Sequence, residues 1–177
     1  MYKIDKLLKQ KQSLFHTRDL ALLWGISNNN TLYTTIKRYL KKGVLIPIYK
    51  GFYSTISLDK IDPLTLGFSY LHRFSYLSCE TILIKEGVIF QKESYLTFVS
   101  NLSKKFTIAN YSFLVRKLKE EFLFNPFGIE KKENIFVATL ERAVADLLYL
   151  NPYFHFDNKK IIKWNGVKKI QKEVGYL

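Results

Sequence analysis

Residues 30–42 place amide, hydroxyl and basic side chains on one side of a predicted helix. At about 100° per residue, four apolar residues share the inner side: Leu32, Ile36, Tyr39 and Leu40. The outer side carries no acid and consists of Asn30, Thr34, Lys37 and Lys41, with Arg38 at its edge. Amides and hydroxyls bind base edges, and basic groups bind guanines or phosphates. A charged outer face is usually only solvated, but the lack of acids here favours contact with a DNA major groove.

The carboxylates that could serve as catalytic groups have simpler roles. Glu80 and Glu141 fall in the first turns of predicted helices, where the helix dipole stabilises an acid. Asp146 follows Arg142 by four residues and is predicted to pair with it across one turn. The fragment Glu130-Lys131-Lys132 matches the acid-x-lysine part of metal-dependent nuclease motifs, but so short a match is expected by chance. We therefore expect no enzyme and no catalytic residue.

The sequence also offers no metal or cofactor site. Its one cysteine, Cys79, excludes a disulfide within the chain and a cysteine-rich zinc site. The three histidines stand far apart, at His16, His72 and His155. No Walker loop, dinucleotide fingerprint or nucleophile elbow is present. We expect no cofactor and no metal, with Cys79 acting as a small buried apolar residue.

The charge points to a polyanionic partner. The chain has 177 residues with 28 Lys and Arg against 15 Asp and Glu, a formal net charge of +13. Residues 1–60 hold 11 basic and 3 acidic residues, so most of the excess lies in the first third. An imbalance of this size indicates nucleic acid before other partners. No signal peptide or membrane span is predicted, and a cytoplasmic location is expected.

The elements that would position the polar helix face are two earlier helices and a hairpin. Helices are predicted over Tyr2–Lys11, with Ile4, Leu7 and Leu8 on one face, over Arg18–Trp24, capped by Thr17 and ended by Gly25, and over Asn30–Lys42. Two β-prone runs flank the turn Lys50-Gly51. This order is that of a winged helix-turn-helix, predicted for residues 1–58, and Lys50 would contact DNA from the hairpin tip. Trp24, Tyr39 and Phe52 are predicted to be core residues.

A second domain is predicted over residues 63–177, after a boundary near Ser57–Pro63. Its predicted helices are Pro63–Leu71, Cys79–Glu86 behind a Ser78 cap, and a helix from the cap Thr139 to Leu150. Its β-prone runs are Tyr95–Ser100 and Tyr111–Leu118, and its basic end, Lys159–Leu177, is helical in part. The whole chain is therefore predicted to be α+β, with a winged helix-turn-helix followed by a small mixed α/β domain.

Two segments resemble the AbiEi family, antitoxins of bacterial abortive-infection (type IV) toxin–antitoxin systems. The matching residues of the first segment are Ser27 through Thr31, Ile36-Lys37-Arg38-Tyr39, Lys42-Gly43-Val44-Leu45 and Tyr49-Lys50-Gly51-Phe52-Tyr53. The second segment has Tyr76-Leu77-Ser78-Cys79-Glu80-Thr81, Gly87-Val88-Ile89 and a helix, Val137 to Tyr149, that is similar to the family pattern A-T-x-E-K/R-A-x-x-D-x-x-Y. The resemblance covers roughly residues 13–150.

The resemblance implies a repressor that binds inverted repeats in its own promoter and counters a nucleotidyltransferase toxin, without forming a stable complex with it. The implied DNA-binding residues are Asn29, Asn30, Thr31, Thr34, Lys37, Arg38, Lys41 and Lys50. The antitoxin role would belong to the second domain. Two alternatives stay open: an RNA-binding or protein-interaction module that uses the abundant aromatic residues, and a metal-dependent nuclease.

Overall fold

The structure, a computed structural model, describes residues 2–90, 94–133 and 135–177. Within these ranges the chain forms eight α-helices and two β-sheets, which confirms the predicted α+β class. The chain divides into two compact units, Met1–Tyr70 and Leu71–Leu177. None of the helices in the described ranges is long and apolar enough to cross a membrane.

The first unit combines helices with a small antiparallel sheet. Its elements are α1 (Lys3–Leu8), β1 (Leu14–His16), α2 (Thr17–Trp24), α3 (Asn29–Lys41), β2 (Ile46–Tyr49), β3 (Phe52–Ser54) and α4 (Pro63–Leu71), whose last residue belongs to the second unit. The strands lie in the order β1-β3-β2. The predicted hairpin is confirmed, because Lys50 and Gly51 form the turn between β2 and β3, and Gly51 has a φ of 74°.

Apolar side chains of α2 and α3 form the core of the first unit. Leu20 and Trp24 of α2 belong to one buried cluster with Leu32 and Ile36 of α3. The Trp24 indole Nε1 donates a hydrogen bond of 3.1 Å to the carbonyl oxygen of Lys3, which fixes the start of α1 to α2. Trp24, Tyr39 and Phe52 are all buried, as predicted.

Two details near the start of the chain differ from the prediction. Thr17 is not the N-cap of α2: His16 is, and its backbone N–H donates to the Asp19 carboxylate at 2.7 Å. The Thr17 hydroxyl donates instead to the carbonyl oxygen of Gly51. Leu8 is exposed although it was placed on the apolar face of α1, because that helix ends at Leu8 and only Leu7 is buried.

The second unit is built on a six-stranded mixed sheet. Its elements are β4 (Ser75–Leu77), α5 (Glu80–Lys85), β5 (Tyr95–Ser100), β6 (Lys104–Ile108), β7 (Tyr111–Lys117), α6 (Glu120–Leu123), β8 (Ile129–Lys132), β9 (Ile135–Ala138), α7 (Leu140–Leu150) and α8 (Trp164–Val174). The strand order is β6-β7-β5-β4-β9-β8. The pairs β5–β7 and β4–β9 are parallel, and the other three pairs are antiparallel.

Helix α7 begins where it was predicted to begin. The Thr139 hydroxyl accepts a hydrogen bond from the Arg142 backbone N–H, which supplies the N-cap. Ala143, Val144 and Leu147 are buried at the predicted helical spacing. Helix α5 starts one residue later than predicted, with Cys79 instead of Ser78 at the N-cap.

The predicted pair of Arg142 and Asp146 lies at the centre of the second unit. Neither side chain has any solvent exposure, and Nε of Arg142 lies 2.7 Å from Oδ1 of Asp146. The other guanidinium N–H groups donate to the carbonyl oxygens of Phe122 at 2.8 Å, Asn125 at 3.2 Å and Phe127 at 2.9 Å, and to the Tyr76 hydroxyl at 3.0 Å. The guanidinium thus anchors the segment between α6 and β8.

The Asp146 carboxylate accepts hydrogen bonds from three hydroxyls besides the guanidinium. Tyr76 and Ser78 donate to Oδ2 at 2.9 and 2.8 Å, and Tyr176 donates to Oδ1 at 2.5 Å. Among the described residues, no buried side-chain nitrogen or oxygen lacks a hydrogen-bond partner. A buried ion pair that is satisfied in this way ties β4, α7 and the end of the chain together.

Burial and charge also set the ionisation of this cluster. Burial raises the pKa of the Tyr76 and Tyr176 phenols well above the usual value, and the nearby Asp146 carboxylate raises it further. Burial lowers the pKa of Arg142, but the charge and hydrogen bond of Asp146, together with the phenol groups of Tyr76 and Tyr176, outweigh burial, so the pKa is raised. The folded cluster therefore holds neutral tyrosines beside a charged arginine.

Replacing Asp146 by Asn should destabilise the second unit by about 3–5 kcal/mol, because Arg142 would be left as a buried charge without a counter-ion. The chain has two tryptophans, and Trp164 is the one in the second unit. Denaturant unfolding followed by fluorescence in a Trp24→Phe background would report on that unit. The exposed Glu173→Gln change is the matched control, and equal unfolding midpoints for the two variants would contradict the prediction.

The free energy of unfolding should fall above about pH 10, where tyrosines of the unfolded chain ionise. A raised pKa in the folded state means that this stabilisation is complete below pH 10 and is lost as the pH rises. Tyr176→Phe keeps the ring against Tyr149 but removes one such proton. Its unfolding free energy should decline less steeply with pH, by about 1.4 kcal/mol per pH unit. An identical slope in the variant would show that Tyr176 ionises normally.

Candidate nucleic-acid interface

The orientation of α3 is fixed by its buried side and by its cap. Leu32, Ile36 and Tyr39 are buried in the core of the first unit. The Asn28 side-chain oxygen accepts a hydrogen bond of 3.0 Å from the Thr31 backbone N–H, which starts the helix at Asn29. The opposite side of the helix must therefore face solvent.

All eight side chains predicted to bind DNA are exposed: Asn29, Asn30, Thr31, Thr34, Lys37, Arg38, Lys41 and Lys50. Seven of them lie on one helix, and the eighth lies at the tip of the β2–β3 hairpin. Helix α3 contains three basic residues and no acid. The exposed surface of α3, which we call the α3 face, thus combines hydrogen-bonding groups with positive charge only.

The residues of the α3 face differ in how many contacts they already make within the protein. The Thr31 hydroxyl donates to the Asn28 cap at 3.3 Å, so part of its hydrogen-bonding capacity is used. The Arg38 guanidinium lies 5.6 Å from the centre of the Tyr39 ring, a distance typical of a cation–π contact. In the described part of the chain, no ion pair involves Lys37, Lys41 or Lys50. These three ammonium groups are available to an external anion.

A shallow depression runs along the α3 face. It has a volume of about 320 Å³, and its lining residues are Asn30, Thr31, Thr34, Thr35 and Arg38. The Thr35 hydroxyl donates to the Thr31 carbonyl oxygen within the helix, so its proton is already used. The depression is open to solvent and offers amide, hydroxyl and guanidinium groups to a partner.

Tyr33 is a further exposed residue of α3 that the sequence prediction did not include. Its side chain is 57 % exposed, on the edge of the helix next to Lys37. The prediction of core aromatic residues covered Trp24, Tyr39 and Phe52, all of which are buried, and it made no statement about Tyr33. The helical period indicates this exposure, because Tyr33 falls between the apolar and the polar sides at 100° per residue.

The hairpin tip is held by the start of α2. The Thr17 backbone N–H donates a hydrogen bond of 2.9 Å to the Gly51 carbonyl oxygen, and the Thr17 hydroxyl bonds to the same oxygen at 3.2 Å. A Cβ on Gly51 would lie 3.1 Å from that hydroxyl. The close approach, together with the positive φ, explains why glycine follows Lys50 at this turn.

Three of the four carboxylates considered for catalysis form ion pairs, namely Glu80, Glu130 and Asp146. Glu80 forms an ion pair with Arg116, and Glu130 lies 3.5 Å from Lys132 on the surface strand β8. Burial raises the pKa of the Cys79 thiol well above its usual value. Across residues 2–90, 94–133 and 135–177, no group of three His, Cys, Asp or Glu side chains is placed to hold a metal ion.

Comparison with known proteins adds no assignment to this geometry. The chain matches no protein-family model, and a search of curated proteins finds no match. The resemblance to the AbiEi family stays a prediction that rests on the residues quoted above.

Proposed function

We propose that the chain is a sequence-specific DNA-binding repressor whose first unit is a winged helix-turn-helix. In this proposal α3 enters the major groove, and the β2–β3 hairpin is the wing that contacts the neighbouring backbone. The observation that carries the proposal is the α3 face, which is exposed, rich in hydrogen-bonding groups and without an acid.

The dimensions and chemistry of α3 suit this role. A helix of 13 residues is about 20 Å long and fits a groove about 12 Å wide. Asn30 and Thr34 supply amide and hydroxyl groups for base edges, whereas Lys37 and Lys41 supply charge for guanines or phosphates. Lys50 would add a phosphate contact from the wing. The formal net charge of +13 would draw the chain to DNA over a longer range.

The biological setting that we propose follows the resemblance to the AbiEi family. The chain would bind inverted repeats in its own promoter and repress it. It would also act as the antitoxin against a nucleotidyltransferase toxin, with the second unit carrying this role and no stable complex formed. The likeness of residues 137–149 to the family pattern supports this part of the proposal.

The double change Lys37→Glu with Lys41→Glu should lower the affinity for the DNA upstream of this gene by roughly a hundredfold or more, because two groove contacts become repulsive. Both lysines are exposed, so we expect an unchanged melting temperature. Fluorescence anisotropy with labelled duplex would measure the affinity.

The matched control is Lys9→Glu with Lys60→Glu, which changes the net charge equally at exposed positions outside α3. A folded Lys37/Lys41 variant that binds as tightly as this control would contradict the placement of α3 in the groove.

The antitoxin role is tested by expressing the open reading frame adjacent to this gene from an inducible promoter. We expect growth arrest that this chain relieves, without co-purification of the two proteins. The Lys37→Glu, Lys41→Glu variant should relieve the arrest as fully as the wild-type chain. The reason is that the toxin is expressed from the inducible promoter and not from the promoter that the chain represses. An adjacent product that is harmless, or an arrest that persists with the wild-type chain, would remove the antitoxin role and leave DNA binding untouched.

A further inference from the structure

A second depression in the first unit lies beside α3 and is lined by basic residues. It has a volume of about 500 Å³ and lies between the start of α1 and the C-terminal half of α3. Its lining residues are Tyr2, Lys3, Ile4, Arg38, Tyr39 and Lys42. Three of the six are cations and none is an acid, so the depression has the charge of an anion site. We call it the α1–α3 depression.

The two walls of the α1–α3 depression are fixed to each other through a buried residue. Trp24 donates its indole N–H to the carbonyl oxygen of Lys3, and its ring lies 5.3 Å from the ring of Tyr39. Tyr39 is buried and carries the Arg38 guanidinium over its ring at 5.6 Å. The backbones of Lys3 and Arg38 are therefore held at a fixed separation.

Arg38 links the α1–α3 depression to the α3 face. It lines this depression and also the one formed by Asn30, Thr31 and Thr34. Lys42, the C-cap residue directly after α3, follows Arg38 by four residues and so lies at the same edge of the helix. An anion in the α1–α3 depression would sit immediately beside whatever occupies the α3 face.

We propose that the α1–α3 depression binds a backbone phosphate of duplex DNA, held by Lys3, Arg38 and Lys42. This proposal rests on the proposed function, because a helix in the major groove has a sugar–phosphate strand along each edge. Phosphate contacts fix the position of a protein on the duplex and carry no base information. Lys3 and Lys42 thus set affinity and register, whereas the α3 face reads sequence.

The test uses the full chain with Lys3→Gln and Lys42→Gln, in anisotropy titrations at 50 and 200 mM salt. Losing the contact with this one phosphate should make the slope of log K against log salt less negative by about 0.9. Over this fourfold range of salt, the wild-type affinity should then fall about 3.5-fold more than that of the variant. The variant should lose the same factor of affinity for the upstream DNA and for a scrambled duplex, so the ratio of the two affinities stays unchanged.

The matched control is Lys9→Gln with Lys11→Gln, which removes the same charge from exposed positions outside the depression. A Lys3/Lys42 variant with the salt slope of this control would overturn the phosphate site, while specific binding by the wild type would still stand. A variant that loses only its preference for upstream over scrambled DNA would also overturn it. If the wild-type chain itself prefers no sequence, the proposed function fails, and the phosphate site with it.

Discussion

Burial of one apolar stripe on α3 determines what the first unit presents to its surroundings. Leu32, Ile36 and Tyr39 occupy the core, and their burial fixes the rotation of the helix about its axis. Because that rotation is fixed, the uncharged polar and basic residues on the other side face solvent. The composition of that side, with no acid among its residues, is then a property of the surface and not of an isolated helix.

The second unit depends on a different interaction, the buried pair of Arg142 and Asp146. A charge pair without solvent exposure is costly unless every donor and acceptor is satisfied, and here each is. The same residues belong to the helix pattern that carries the AbiEi resemblance. Thr139 caps α7, Arg142 and Asp146 form the pair, and Tyr149 stacks on Tyr176 at 4.7 Å. That pattern therefore describes how this unit folds.

Elements with a strong local signal could be predicted from the sequence. The period of α3, the turn at Lys50-Gly51 and the Thr139 cap each have a cause within a few residues, and the structure has them where they were expected. The spacing of Arg142 and Asp146 predicted their ion pair, but it did not predict that the pair is buried. The residues that enclose the pair, such as Tyr76 and Tyr176, come from distant parts of the chain.

The features that could not be predicted from the sequence also depend on contacts between distant parts of the chain. Strand β1 has three residues and pairs with β3, about forty residues later, so its own sequence carries little signal. Thr17 looked like a cap, but the tertiary contact with Gly51 uses its hydroxyl. The exposure of Asn30, Thr34, Lys37 and Lys41 could be foreseen from periodicity, and that of Lys50 from its place in the turn. The α1–α3 depression could not, because it needs α1 and α3 brought together through Trp24.

The most direct test of the account is an equilibrium titration of the wild-type chain with the DNA immediately upstream of its gene, with scrambled duplex and RNA as competitors. A sequence-specific repressor should bind the upstream duplex at least about a thousandfold more tightly than the scrambled one at physiological salt. If scrambled DNA competes equally, the positive charge gives only non-specific binding. If RNA displaces the duplex, the chain is an RNA-binding module. Either result would contradict a sequence-specific repressor.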